Sequence, residues 1–375
     1  MRIAYIVEGD PLNRRLWSGT VTAAYTALSK KYDVEAVDIS KRSHLLDAVY
    51  KIFGKMVRLF TGKRFMHSFG RWAAKRDSRA VDRYLAGRDD IDLVFCAAKS
   101  GSIAYVKTDK RIVYLTDATF DSMCDYYGYM SNLAPVTIRS GNEIERRAIE
   151  NSDVVICASE WAKESVVSVY GASKNKVFVI PFGANISDPT SQSSPTDSFN
   201  ILFCGVEWER KGGTLAVEAF RELKKENKNC KLYLVGCEPQ CDVSDEDIIK
   251  VGFLNKNVPE EKQRLDNIYA TASCLLLPTV AEAAGIVFAE ASAHGIPSVT
   301  HDTGGVGTYV IDGVNGFKLA LGSSAVDFSC VLSKIINDNK LYSTLRNGCL
   351  ELYESRFNWN SWLESFSSIV EKEMQ

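Results

Sequence analysis

The feature that most constrains this chain is a rhythm. Short, apolar, β-branched runs alternate with longer helical patterns, and the alternation happens twice. In the first half the runs are residues 2–7, 33–38, 93–96, 112–115, 154–157 and 177–180. Residues 20–30, the long stretch 44–86, 141–151 and 160–170 carry helical spacing between them. The second half has runs at 200–204, 231–235, 248–251, 274–277 and 298–301, interleaved with helical patterns at 212–226, 259–271, 286–294 and 324–338. Strands that are apolar on both faces predict parallel sheets covered by helices on both sides. Pro181-Phe182-Gly183 closes the first half, and the polar, turn-forming run 188–196 precedes the fresh strand at Asn200. The pattern predicts an α/β protein of two doubly wound, Rossmann-like domains joined near residue 190, facing across a ligand cleft.

Composition narrows what such a chain can do. Lys+Arg 45 against Asp+Glu 47 leave a net charge of −2, which excludes a global field for nucleic acid. No apolar run approaches the ~18 residues that a membrane-spanning helix needs. Residues 1–7, met at once by Glu8 and Asp10, read as a first strand rather than a signal-peptide core. Of ten cysteines, Cys96, Cys157 and Cys204 sit inside apolar runs, as buried thiols do in a reducing compartment. Cys237 and Cys241 lack a second cysteine or histidine pair at zinc-site spacing. A cytoplasmic protein with no metal site is expected.

The richest stretch runs from Pro278 to Phe317. A strand ends at Pro278, a loop carries Glu282, and Gly285 opens a helix that carries Glu290. Glycine at a helix start lets a ligand approach unpaired N–H groups, which with the helix dipole make an anion site. Carboxylates there can accept from ligand hydroxyls. Asp302-Thr303-Gly304-Gly305-Val306-Gly307 offers a second strand-to-helix nest. Upstream, Phe203-Cys204-Gly205-Val206 ends a strand, and Arg210-Lys211 precede the helix opening at Gly212. Cations oppose the helix dipole at that end, so a solvated pair is disfavoured, and the two could neutralise an anion such as a diphosphate.

These residues resemble the GT-B glycosyltransferases of family 4, which are retaining and use nucleotide sugars. Glu282 and Glu290 bracket seven residues, the family's E-x7-E motif, and Pro278, Gly285-Ile286, Gly295, Pro297, Gly304-Gly305 and residues 312–317 match its surroundings. The resemblance implies that Glu290 binds the donor ribose and that Glu282 faces the donor sugar or diphosphate. It implies that the backbone at Gly285, Ile286 and Val287 holds phosphate and sugar, with Gly205, Gly304 and Gly305 in the same donor site. Trp17-Ser18-Gly19-Thr20 looks like the family's first glycine loop, so Gly19 is expected to face the ligands. Residues 180–185, 265–270 and 357–359 resemble its interdomain segment, the helix before the E-x7-E strand and the crossing onto the N-terminal domain. The implied domains are 1–185, completed by the C-terminal helix at about 356–375, on the acceptor side, and 186–355 for the nucleotide sugar.

Two positions depart from the family. Val206 stands where Arg usually follows the first glycine, with Arg210 as its candidate substitute, and Thr116 precedes Asp117 where His-Asp is common. Asp117 is either a site residue or the N-cap of the next helix. Asp90-Ile91-Asp92 and Asp245-Glu246-Asp247 mimic a D-x-D metal motif, but one leads into a strand and the other lies in an acidic loop. There is no P-loop and no H-E-x-x-H motif.

The resemblance therefore implies a metal-independent hexosyltransferase whose catalytic groups are Asp117, Arg210, Lys211 and Glu282. It would use a UDP- or GDP-sugar and a glycan or lipid-linked saccharide acceptor in surface polysaccharide or glycolipid synthesis. A nucleotide-sugar epimerase on the same fold, or an inactive nucleotide-sugar-binding subunit, would share these motifs.

Charge is unevenly spread. Residues 41–83 hold twelve Lys/Arg against Asp47, Asp77 and Asp82, an excess of nine. Tyr50, Ile52, Phe53, Met56, Val57, Leu59 and Phe60 interleave with Lys51, Lys55, Arg58, Lys63 and Arg64. That composition fits an amphipathic helix at an anionic membrane surface. It equally fits two helices that pack their apolar faces on the sheet.

Overall fold

The structure is a computed structural model describing residues 1–40, 44–186 and 198–373. The expected linker 188–196, with the junction near residue 190, lies outside the described residues, as do Lys41 and Arg42. By internal contacts the chain forms two compact units, Met1–Ile180 with Phe366–Gln375, and Pro181–Ser365. Residues 181–185 and 356–365, expected in the first domain, instead pack within the second unit. The Phe182 N–H donates to the Tyr309 hydroxyl at 2.8 Å and the Ala184 N–H to the Phe357 carbonyl at 2.8 Å. The Phe182 ring also stacks on Trp359.

In the first unit β1 (Arg2–Val7), β2 (Asp33–Asp38), β3 (Leu93–Ala97), β4 (Arg111–Thr116), β5 (Val154–Cys157) and β6 (Val177–Val179) form one parallel sheet in the order β2-β1-β3-β4-β5-β6. In the second, β7 (Phe199–Cys204), β8 (Cys230–Val235), β9 (Ile248–Gly252), β10 (Cys274–Leu277), β11 (Ser298–His301) and β12 (Gly316–Leu319) form another parallel sheet, ordered β12-β11-β10-β7-β8-β9. Strand order reverses between β1 and β3 in one sheet and between β7 and β10 in the other. Ligand crevices of open α/β sheets form at such points, outside the carboxyl ends of the strands. The two-domain α/β architecture is as the sequence predicts.

Central strands are buried along their whole length, whereas the edge strand β2 is mostly half-buried with exposed ends. One face of the first sheet (Ala4, Ile6, Val94, Cys96, Tyr114, Val155) packs on helices Arg71–Leu85, Pro135–Asn151 and Glu160–Ser168. On the other face Tyr5 stacks on Phe95 and meets Tyr25 edge-on, while Phe366 from the C-terminal helix closes over Phe95.

Several elements differ from expectation. The stretch 44–86 is two helices, His44–Thr61 and Arg71–Leu85, because left-handed Gly62 ends the first. Strand β12 was not predicted. It is an edge strand with Lys318 in it, and so has no continuous apolar run. Helix Asn339–Ser355 was also missed.

Glu145, on helix Pro135–Asn151, is buried within the first unit and accepts from the Tyr114 hydroxyl at 2.9 Å. Burial pushes its carboxyl up to about 7, against lowering by hydrogen bonds from Ser100, Tyr114 and the Phe120 backbone. The folded state therefore holds a proton that the unfolded chain releases near pH 4.5. The stability this provides is complete below that pH and is lost as pH rises through about 7. Glu145→Gln should match the wild type at pH 4.5 in urea unfolding and exceed it at pH 8 by up to about 3 kcal/mol. Parallel pH profiles would refute this.

Candidate active site

At the carboxyl ends of β7 and β10 two loops meet. Gly212, left-handed at φ 74, caps helix Gly213–Glu226, and a Cβ there would lie 2.1 Å from the Pro278 carbonyl oxygen. Only glycine permits that approach. It brings the Arg210 carbonyl within reach of the Val280 N–H at 2.9 Å and the Thr279 hydroxyl at 3.1 Å. The Arg210 guanidinium turns back onto the same loop, donating to the Ala281 carbonyl at 2.7 Å, with Nη1 3.6 Å from Glu282 Oε2. Its other edge pairs with Glu207, whose carboxyl it holds below the usual range.

Lys211 forms an ion pair with Glu282, with both side chains nearly buried. The Glu282 carbonyl accepts from the Gly305 N–H at 2.8 Å, so the loop after β11 supports the loop after β10. Gly305 thus serves the first loop, and the helix it caps, Val306–Tyr309, is a single turn. Gly304 beside it is left-handed at φ 52, and Gly205 follows β7 with its N–H on the Val235 carbonyl.

Gly285, at φ 67, caps helix Ile286–Ala293, and a Cβ there would strike the Phe288 ring at 2.6 Å. Ile286 and Val287 are half-buried in its first turn. Glu290 is buried one turn further on. Its Oε1 accepts from Lys256 Nζ at 2.6 Å and its Oε2 from the Tyr269 hydroxyl at 3.2 Å. Burial works against the Lys256 charge, but the Glu290 carboxylate overrides it and holds that lysine above its usual value. Burial, with Cys204 and Glu290 nearby, pushes Tyr269 well up. Sequence reasoning missed Lys256 and Tyr269 as site residues. Val206, which stands where the family's arginine is common, is 60% exposed.

The first unit has its own carboxyl edge. Trp17 and Ser18 lie in the left-handed region at φ 48 and 56, followed by buried Gly19 at φ 88. The Trp17 indole N–H donates to Asp117 Oδ2 at 2.9 Å, and Glu8 pairs with Lys99 beside it. Asp117 is not the N-cap of the helix that follows. Thr119 caps Phe120–Met123 in a reciprocal box with Ser122. Thr116 is buried, donating to the Ala118 carbonyl at 2.6 Å.

Among the described residues no group of three or more His, Cys, Asp or Glu side chains is arranged to hold a metal ion. Asp90 pairs with Arg2 and Arg88, and Asp245 and Asp247 pair with Arg221 and Lys224.

Residues 186–348 match the glycosyl transferases group 1 family and residues 22–188 match glycosyltransferase family 4. The chain is 28% identical over 242 residues to a D-inositol 3-phosphate glycosyltransferase of Xylanimonas cellulosilytica, covering 58% of this chain and 56% of that protein. It therefore spans little more than half the length of that relative. It is 26% identical to the capsular polysaccharide biosynthesis glycosyltransferase CapM of Staphylococcus aureus, covering 62% and 66%. Anabaena Alr3699/HepE, solved with UDP and glucose, shares the fold at TM-score 0.63 and 15% identity over 99% of both chains. Two parallel sheets of this topology, the loop and helix that carry Glu282 and Glu290, and both family matches lead to one assignment: the chain belongs to family 4 of the GT-B glycosyltransferases.

Proposed function

We propose that the protein is a retaining glycosyltransferase that moves a hexose-type sugar from a UDP- or GDP-sugar to a glycan or lipid-linked saccharide. The observation that carries this is the convergence of Arg210, Lys211 and Glu282 at the carboxyl ends of β7 and β10, with Glu290 one turn into the helix that follows β10. The second domain holds the donor: the ribose on Glu290, the diphosphate by the Lys211 ammonium and the helix start at Gly285. The first domain presents the acceptor, with Asp117 at its edge. The acceptor oxygen attacks the anomeric carbon on the face the phosphate leaves. The carbon–oxygen bond to phosphate breaks as the new glycosidic bond forms, and the acceptor proton passes to the departing phosphate oxygen. Lys211 and the helix N-terminus stabilise that leaving charge, so no divalent ion is required. The names of the Xylanimonas and Staphylococcus relatives and the UDP and glucose of the Anabaena structure support this donor and acceptor chemistry. Val206 and Thr116 favour one alternative, an inactive binding subunit, which would bind donor without turnover.

Glu290→Ala should weaken UDP or GDP binding by about 1.5–3 kcal/mol in calorimetry, the worth of a hydrogen bond to a charged acceptor. Unchanged affinity for both nucleotides would remove the ribose role. Release of nucleoside diphosphate from the donor should persist in EDTA, and Lys211→Ala should lower kcat more than it raises donor KM. Loss of turnover in EDTA that Mn²⁺ or Mg²⁺ restores would contradict metal independence, and an unchanged kcat would remove Lys211 from the site.

We further propose that helix His44–Thr61 seats this enzyme, as a cytoplasmic peripheral protein, on an anionic membrane. Val49, Ile52, Phe53, Met56, Leu59 and Phe60 follow helical spacing and are all exposed, Leu59 by 80% and Phe60 by 77%. Exposed Lys55, Arg58, Lys63 and Arg64 flank them. No helix among the described residues is long and apolar enough to cross a membrane. Each basic residue near the surface adds about 1 kcal/mol of attraction. The protein should sediment with vesicles containing phosphatidylglycerol at low salt, less at high salt, and not with phosphatidylcholine alone. Indifference to anionic vesicles, or retained binding after Lys55, Arg58 and Lys63 are changed to Glu, would end this reading.

A further inference from the structure

His301 ends β11 directly beneath the loop that carries Glu282, and its imidazole is buried, with only 2% of the residue exposed. Its Nδ1 lies 3.1 Å from the Pro278 carbonyl oxygen and 3.3 Å from that of Thr279. Two acceptors facing one ring nitrogen require the proton to sit there, so Nδ1–H is the donor and Nε2 the lone pair. Nε2 is buried and has no hydrogen-bond partner among the described residues. Burial accordingly lowers the ring's pKa, and the neutral form is the one that fits.

Leaving Nε2 unpaired costs stability, so the residue needs a reason to be there. The next residues of the loop supply one. The Val280 carbonyl accepts from the Thr303 hydroxyl at 3.2 Å, the Ala281 carbonyl from Arg210 at 2.7 Å and the Glu282 carbonyl from the Gly305 N–H at 2.8 Å. With His301 holding Pro278 and Thr279, five consecutive carbonyls are tied down by groups from the neighbouring loops. A carbonyl swung towards the ligand would repel a phosphate. Carbonyls engaged in this way cannot do that, and the loop so held keeps Glu282 against Lys211.

We propose that His301 is a positioning residue for the diphosphate half of the donor site, acting through the carbonyls of Pro278 and Thr279. This rests on the nucleotide-sugar reading above. His301 touches no ligand; it holds two carbonyls away from the place where the phosphates would lie. Its loss should therefore affect the phosphates and leave the nucleoside half, at Glu290 and Lys256, as it was.

The test measures binding of UDP and uridine, and of GDP and guanosine, by competition calorimetry on the full chain. His301→Phe keeps a planar ring against Phe328, which meets His301 edge-on at 5.0 Å, but it has no donor. It should lose about tenfold in diphosphate affinity, roughly the effect of one to two hydrogen bonds, with nucleoside affinity unchanged. His301→Asn, whose amide nitrogen falls near the Nδ1 position, should recover most of the loss. A merely structural role predicts equal losses for diphosphate and nucleoside, and that result, or unchanged diphosphate affinity in His301→Phe, overturns the proposal. If His301→Phe is misfolded by thermal melt, the His301→Asn comparison decides: diphosphate affinity within threefold of wild type supports it, and equal losses for both ligands overturn it. A wild type that binds none of the four ligands refutes the nucleotide-sugar reading itself, and this inference with it.

Discussion

The close approach of Gly212 to Pro278 is the constraint on which the second sheet's carboxyl edge depends. Strands β7 and β10 are neighbours in space but are separated by β8 and β9 in the chain, because the sheet winds outward in one direction and then in the other. Their loops therefore leave on opposite sides of the switch point, and a gap opens there in every fold of this type. Here the gap is narrowed from below, since a side chain at Gly212 would overlap the Pro278 carbonyl. With the backbones this close, the Arg210 guanidinium reaches the Ala281 carbonyl and the Lys211 ammonium reaches Glu282. A larger residue at position 212 would push the loops apart and leave the cations facing water.

The electrostatics follow from that contact. Lys211 and Glu282 are both close to buried, and Lys256 meets a Glu290 that is more buried still. Ion pairs in such settings seldom stabilise a fold beyond what apolar residues of the same size would contribute, because desolvation offsets the attraction. Their value lies elsewhere. Glu282 holds the Lys211 ammonium in place, and an anion with more negative charge than one carboxylate could share or take it over. Glu290 has one donor on each oxygen, and each oxygen retains a second lone pair. A pair of adjacent hydroxyls can therefore bind without displacing Lys256 or Tyr269.

What was legible in the sequence is what local pattern encodes. Central strands such as β5 and β10 announce themselves because burial on both faces demands an unbroken apolar run, and their bounds match residue for residue. Glu282, Gly285 and Glu290 are legible because one loop and one helix fix their spacing. Lys256 and His301 are not, since each meets its partner only through the strand order, 34 and 22–23 residues away along the chain. The N-cap alternative for Asp117 falls on local grounds. Thr119 and Ser122, at the spacing that closes a reciprocal box, take that task. Strand β12 escaped notice because an edge position tolerates a glycine start and a lysine.

The basic segment shows how one composition can have two outcomes. Helix Arg71–Leu85 turns Ala73, Ala74, Ser78, Val81 and Leu85 inward, a stripe of mostly small side chains that can lie close to the sheet. Helix His44–Thr61 carries a stripe of large ones; among its described side chains Tyr50 packs among Phe65, His67 and Trp72, and one edge of the partly exposed Phe53 meets Phe65. One face of the first sheet is filled by Ile144, Ala148, Val166 and their neighbours, and the described large side chains of the other stripe stand exposed. A row of six apolar residues at helical spacing is more than scattered surface hydrophobics, and water is a poor solvent for it. The lysines and arginines on its flanks set the sign of what could replace that water. A neutral protein surface would satisfy the apolar stripe and leave the charges unmatched; an anionic lipid surface satisfies both.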